Sequence, residues 1–165
     1  MRIRTIGIVL GTLALMTTAP AGAAGQDTAG RNEAVVRALF DEAWSAGNYE
    51  RLPELVSPEL RFNFRGRSRP MSHKDFQGMV GMWRSVFPDL RFAVEDIVGT
   101  GDRVAARFVF SGTQRGELFG IAPTGRSVNV SMMAFFRLAD GKVVEMWEDY
   151  DEHGMRQQLT RPATQ

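Results

Sequence analysis

The sequence contains no cysteine, which excludes disulfides, thiolate nucleophiles and cysteine-ligated metals. Its two histidines, His73 and His153, stand in no spacing with Asp or Glu that suits a metal ion. There is no basic run, and the formal charge is only +1, so nothing draws the chain electrostatically to nucleic acid. The N-terminal apolar segment Ile6–Met16 is too short to span a bilayer and is followed by Pro20. No nucleophile elbow marks a Ser-His-Asp triad. Internal repeats and low-complexity segments are also missing.

What is present fits one domain. The chain has 165 residues, 44% of them hydrophobic, sufficient for a proper core. Arg2 and Arg4 precede Ile6–Met16, and Ala21-Gly22-Ala23 supplies a small-residue cleavage pattern. Residues 1–23 therefore read as a cleaved signal peptide, with a secreted or periplasmic product that keeps no stable membrane anchor. Cleavage would leave 18 basic and 19 acidic residues and a formal charge of −1. Residues 24–31 read as a flexible leader, 32–160 as the domain and 161–165 as a tail.

Along the domain, Asn32 is placed to N-cap a helix reaching about Ala46. Val36, Leu39, Phe40, Ala43 and Trp44 form its core stripe. Tyr49 to Val56 reads as a short second helix stopped by Pro58, and Leu60 to Phe64 as a short strand. Ser72 and Asp75 make an approximate capping box for a third helix. That helix has the stripe Phe76, Met79, Val80, Trp83 and Phe87, and Pro88 closes it. Gly78 and Gly81 are poor helix formers, there either for close packing or for open space beside Trp83. From Leu90 onward the pattern is strand and turn. Leu90, Phe92 and Val94 share one face of a strand, and Val104, Ala106, Phe108 and Phe110 one face of the next. Helices followed by an antiparallel meander predict an α+β fold, with the sheet curled over the helices.

The most informative stretch is 126–151. Two β-forming runs flank Ala139-Asp140-Gly141, a three-residue hairpin loop with Gly where a left-handed conformation is needed. If Leu138 pairs with Lys142, the even-numbered residues of both arms share a face: Val128, Val130, Met132, Ala134 and Phe136 against Val144, Met146, Glu148 and Tyr150. That face is apolar except for Glu148, opposite Met132 in this register. A lone acid there needs an explanation, because an unpaired buried charge is costly. The odd-numbered face is mixed, and its Phe135 and Trp147 predict a homodimer through the sheet.

Four strings then become recognisable: FPDLRF (87–92), GDRVAARF (101–108), GTQRGELFGIAPTG (112–125) and DGKVVEMWEDYDEHG (140–154). Together and in this order they resemble the SnoaL-like polyketide cyclase, or ester cyclase, family over roughly Glu33 to Leu159. The resemblance implies the cone-shaped α+β barrel of nuclear-transport-factor-2-like proteins, with helices in the concave face of a curved, mainly antiparallel sheet. It also implies intramolecular aldol chemistry with no metal or cofactor, run by an acid on the last strand. Aligned on the DGK turn, that acid falls on Glu148, one methylene longer than the family aspartate. Two cyclase histidines fall on Ala134 and Met146, and Gln114 stands where many relatives have His. Asp151 matches a family Asp read as capping the C-terminal turn.

A carboxyl in an apolar cavity has its charged form disfavoured, so its pKa should rise from about 4.3. A rise of roughly two units makes Glu148 an efficient proton-transfer group at neutral pH. The matching chemistry is proton abstraction beside a carbonyl, as in aldol closure, enolisation or dehydration of a small hydrophobic compound. Tyr150, two residues along the same face, is placed to donate to a developing enolate. Trp83, Met132, Ala134, Met146 and Phe108 are expected around the pocket. Asp96 shares the register of Phe92 and Val94 and either meets Glu148 or sits in solvent near the strand end. Other readings stay open: Glu148 in a structural ion pair with an arginine, a non-catalytic binder of small hydrophobic ligands, or a structural module covered by a second copy.

Overall fold

A computed structural model describes residues 21–161, with side chains from Asp27 onward. The expected signal peptide lies almost wholly outside the described residues, as does the tail beyond Arg161. Helix α1 spans Ala21–Ala38 and runs straight into a π-helical segment, Leu39–Ala46. Residues 24–31, expected as a flexible leader, are thus helical. Asn32 lies inside α1 and is not its cap: its side chain donates to the Gly101 carbonyl at 2.9 Å, tying the helix to a sheet turn. The expected core stripe holds, with Val36, Leu39, Phe40, Ala43 and Trp44 all buried.

Tyr49–Arg51 forms a 3-10 turn leading into the one-turn helix α2, Leu52–Leu55. Pro58 does not end a helix. It lies inside strand β1, Val56–Phe64, and the chain reverses through Arg65-Gly66 into β2, Arg67–Met71. The sequence reading had no strand at β2, because RSRPM carries neither apolar alternation nor β-branched residues. An outermost strand tolerates that composition, having only one hydrogen-bonded neighbour.

Helix α3, His73–Val86, starts with the expected capping box: the Ser72 hydroxyl accepts from the Asp75 N–H at 3.2 Å, and the Asp75 carboxylate from the Ser72 N–H at 3.0 Å. A Cβ at Gly78 or Gly81 would meet nothing within 4 Å, so these glycines mark open space rather than close packing. Strands β3 (Arg91–Thr100), β4 (Arg103–Thr113), β5 (Ser127–Ala139) and β6 (Lys142–Tyr150) form the meander, and α4, Glu152–Thr160, closes the chain. Asp151 caps α4 by accepting from the Gly154 N–H at 2.8 Å. The sheet order is β2-β1-β6-β5-β4-β3, antiparallel throughout except where β1 runs parallel to β6. The sheet is therefore an α+β cone that stays open, with the helices on its concave side.

Two registers differ from expectation. Ala139 pairs with Lys142, so the hairpin loop has two residues, Asp140 (φ 50°) and Gly141 (φ 72°). Both take positive φ, the requirement of the tight turn whose twist matches its strands. The register then shifts after Leu138↔Val143, which buries Val143 in place of Val144. Even-numbered residues share a face again from Phe136↔Met146, and Glu148 opposes Ala134 rather than Met132. In β3 a shift between Val94 and Asp96 inserts Glu95 as an extra residue, which swaps the faces beyond it. Asp96 consequently pairs with the outward Arg107 and is exposed.

The β4–β5 loop is organised by Gln114, which is fully buried. Its Nε2 donates to the Ile121 carbonyl at 3.1 Å, and its Oε1 accepts from the Thr124 N–H at 3.1 Å and the Thr124 hydroxyl at 2.7 Å. Gln114→Ala leaves those groups unpaired. It should lower stability by about 2–3 kcal/mol, seen as a fall in the urea midpoint at constant slope. An unchanged midpoint would contradict this role.

Candidate active site

The meander brings Glu148 to the middle of three strands, beside Phe64 of β1 and Ala134 of β5. Its inward neighbours on β6 are Met146 and Tyr150. A cavity opens against it, about 340 Å³ of empty space counting the open solvent at its mouth. The floor is sheet: Phe92, Phe110, Val130 and Met132, with Glu148 and Tyr150. Trp44 from the π-helical segment, Trp83 from α3 and Met155 from α4 complete the walls. The surface is thus aromatic and thioether, with the carboxyl as its acidic group.

Glu148 Oε2 is sealed from solvent and has no hydrogen-bond partner, and no ion pair reaches the residue among the described residues. The arginine expected in a structural pair is absent from it: Arg137 pairs with Glu145, and Arg65 with Glu152. Burial, and secondarily the charge of Asp149, push the Glu148 carboxyl up to about 7. Tyr150 is pushed up to about 12, chiefly by burial and then by Glu152, so its hydroxyl keeps its proton at neutral pH. The ring stacks on Phe64 at 5.5 Å and meets Trp83 edge-on at 5.9 Å, with the Arg65 guanidinium 5.8 Å away at the rim.

Of the residues expected around the pocket, Trp83 and Met132 line it. Phe108, Ala134 and Met146 do not. Phe108 and Met146 are fully buried and Ala134 nearly so; Phe108 packs against Phe40 at 4.0 Å and near Phe136, behind the cavity floor. Asp96, turned out by the bulge, is on the opposite face of the sheet. Trp44, Phe92, Phe110, Val130 and Met155 were missed as wall residues. Trp44 carried the clearest signal, as the last and largest member of the first helical stripe. Met155 carried none, because the segment after Asp151 reads from sequence only as a C-terminal turn. Both histidines are elsewhere: His73 bonds the Val56 carbonyl at 2.8 Å and His153 the Gln157 amide at 2.9 Å. No group of three or more His, Cys, Asp or Glu suited to a metal occurs among the described residues.

The open cone with helices on its concave side is the fold of SnoaL-like proteins, and the sequence agrees. It matches the SnoaL-like polyketide cyclase family over residues 34–159, and the chain belongs to that family. Among solved structures it is similar to a proposed SnoaL-like polyketide cyclase from Jannaschia sp. CCS1, with 28% identity and a TM-score of 0.74 over 82% of this chain and 95% of that one. IdmH, a proposed polyketide cyclase from Streptomyces antibioticus, is 32% identical with a TM-score of 0.70, over 78% of this chain and 97% of its own. AclR from Streptomyces galilaeus, described as a proposed hydroxylase, is 26% identical with a TM-score of 0.70, over 81% of this chain and 98% of its own. No curated protein matches.

A carboxyl raised to about 7 destabilises the fold where it must ionise. The sign follows from linkage: the penalty is absent below the unfolded pKa near 4.5, grows as pH rises to about 7, and is complete above it. Glu148→Gln should therefore be more stable than wild type by about 3 kcal/mol at pH 8 and nearly equal to it at pH 4.5. Denaturation at the two pH values checks this. A variant less stable than wild type at pH 8 would instead reveal a structural partner for the acid.

Proposed function

We propose that the protein catalyses cofactor-independent proton transfer next to the carbonyl of a small hydrophobic compound, with Glu148 as the base and then the acid. The unpartnered Oε2 of Glu148 inside an aromatic cavity carries this reading. At neutral pH about half of such groups are ionised, so the same carboxyl takes a proton and returns it. In the forward step the C–H electron pair moves onto the carbonyl oxygen as the proton reaches Glu148. Tyr150, protonated and on the cavity wall, is available to donate to that oxygen. The positions that the resemblance matches to cyclase histidines are Ala134 and Met146 here, both apolar and buried, so neither supplies an imidazole base beside the acid. That favours a single-base reaction such as enolisation, dehydration or a simple aldol closure.

The reading is tested with 2-tetralone, a small planar ketone with acidic C–H bonds, by following deuterium uptake in D2O by NMR. Wild type should accelerate exchange, with a rate that climbs as pH rises through about 7. Glu148→Gln should lower the enzymatic rate by about 10²–10⁴. Binding without exchange in wild type would instead favour a non-catalytic carrier, for which Glu148 only satisfies a polar group of its ligand.

We place the protein outside the cytoplasm, on the strength of Arg2, Arg4, Ile6–Met16 and the small residues that follow. N-terminal sequencing from its host should start near Ala24, and an intact Met1 in the soluble fraction would overturn this. We also assign the outer sheet face to a second copy. Val98, Ala105, Phe135 and Trp147 make one row across β3 to β6, and Val98 and Phe135 are 64% and 59% exposed. Replacing Phe135 and Trp147 with Ser should turn a dimer into a folded monomer by light scattering. A monomeric wild type at high concentration would contradict the assignment.

A further inference from the structure

The cavity contains a second orphan. Trp44 is 3% exposed, and its Nε1–H, like Glu148 Oε2, is buried without a hydrogen-bond partner. These are the two such side-chain atoms among the described residues, and both belong to side chains lining the same space. One is a donor only and the other a proton acceptor, so they complement each other toward a third group. An indole N–H left unpaired in an apolar site costs stability, and buried indoles ordinarily find a partner.

The backbone carrying Trp44 is held in place by several contacts. It lies in the π-helical stretch, a rare geometry concentrated at functional sites. The Arg84 guanidinium of α3 donates to the Trp44 carbonyl at 3.1 Å and the Ser45 carbonyl at 2.7 Å. The Ser45 hydroxyl accepts from the Phe92 N–H of β3 at 3.0 Å. Phe40, Phe76 and Phe92 surround the indole at centroid distances of 5.2–6.3 Å. A side chain fixed this firmly, with its one polar atom unused, is preorganised for a ligand.

We propose that the Trp44 Nε1–H donates a hydrogen bond to the oxygen of the ligand's carbonyl, and holds it as that oxygen becomes an enolate during proton transfer to Glu148. The inference rests on the reading of Glu148 given above and names the group that orients its substrate. The indole keeps its proton throughout; only the carbon-bound proton moves, to the Glu148 carboxylate. The substrate class narrows accordingly to flat, conjugated carbonyl or enol compounds, which suit a cavity walled by aromatic rings and present one oxygen to the donor with the neighbouring carbon toward the acid.

The test uses 2-naphthol, a planar aromatic enol, and naphthalene, the same ring system without oxygen. Wild type should bind 2-naphthol more tightly than naphthalene, and Trp44→Phe should cut that preference about tenfold while leaving naphthalene affinity nearly unchanged. A second measurement needs no variant to fold well: in ¹⁵N-labelled wild type, one indole N–H signal should move downfield with 2-naphthol and not with naphthalene. If the preference survives Trp44→Phe and no indole signal separates the two ligands, the Trp44 inference falls. Loss of 2-tetralone exchange in Glu148→Gln would then leave the acid's role standing. If wild type binds neither probe, the cavity is not a site for flat aromatic ligands and the inference is likewise overturned.

Discussion

A carboxyl largely withdrawn from water, with one oxygen sealed and no counter-charge, is the most expensive feature of this molecule, and the rest of the fold makes it tolerable. Glu148 sits on the middle one of three paired strands, flanked by buried Met146 and Ala134, and the apolar floor beneath it is anchored by Phe108 and Phe136 against Phe40 of the π-helical segment. Dispersion and burial in that core stabilise the fold enough to carry one uncompensated acid. The cone geometry matters because it stays open at one side: a packed sandwich would have filled the space that the acid faces. The helices then close over this space with large aromatic side chains rather than with charge, and desolvation sets the proton affinity.

How much of this was legible depended on the period of the pattern. The even-numbered face of the last hairpin, the capping box at Ser72 and Asp75, and the stripe ending at Trp44 follow from spacing alone, and they place Glu148 on the inward face. Bulges were not legible. The extra residue at Glu95 turned Asp96 to the outside, and the shift near Leu138 moved Glu148 one pair along, because a single inserted residue swaps faces without altering composition. Strand β2 hid behind arginines and a proline, which an outermost strand accepts. Pocket lining was the least legible property. Phe108, Met146 and Phe110 all read as inward residues, yet only Phe110 reaches the cavity, since the helices decide which inward side chains are covered.

Membership of the SnoaL-like family brings the fold, while the residues around the acid are this chain's own. At the two positions where the sequence resemblance puts cyclase histidines, Ala134 and Met146 are apolar and buried and do not line the cavity. Gln114 braces the β4–β5 loop through Ile121 and Thr124 and does not line the cavity. No ion pair reaches the acid among the described residues, and its proton affinity stands higher than an imidazolium beside it would allow. The buried indole of Trp44 is the remaining polar contribution to the walls beside Tyr150. A site of one acid and two weak donors suits chemistry at a single carbon next to a single oxygen.

The central claim is that Glu148 titrates near neutrality because it is largely desolvated and unpaired. Carbon-13 NMR of the Glu148 carboxyl, assigned by comparison with Glu148→Gln, tests it directly across pH 3 to 9. The structure predicts a midpoint at about 7. A midpoint near the ordinary carboxylate value of about 4.3 would show a solvated or paired acid and contradict the account.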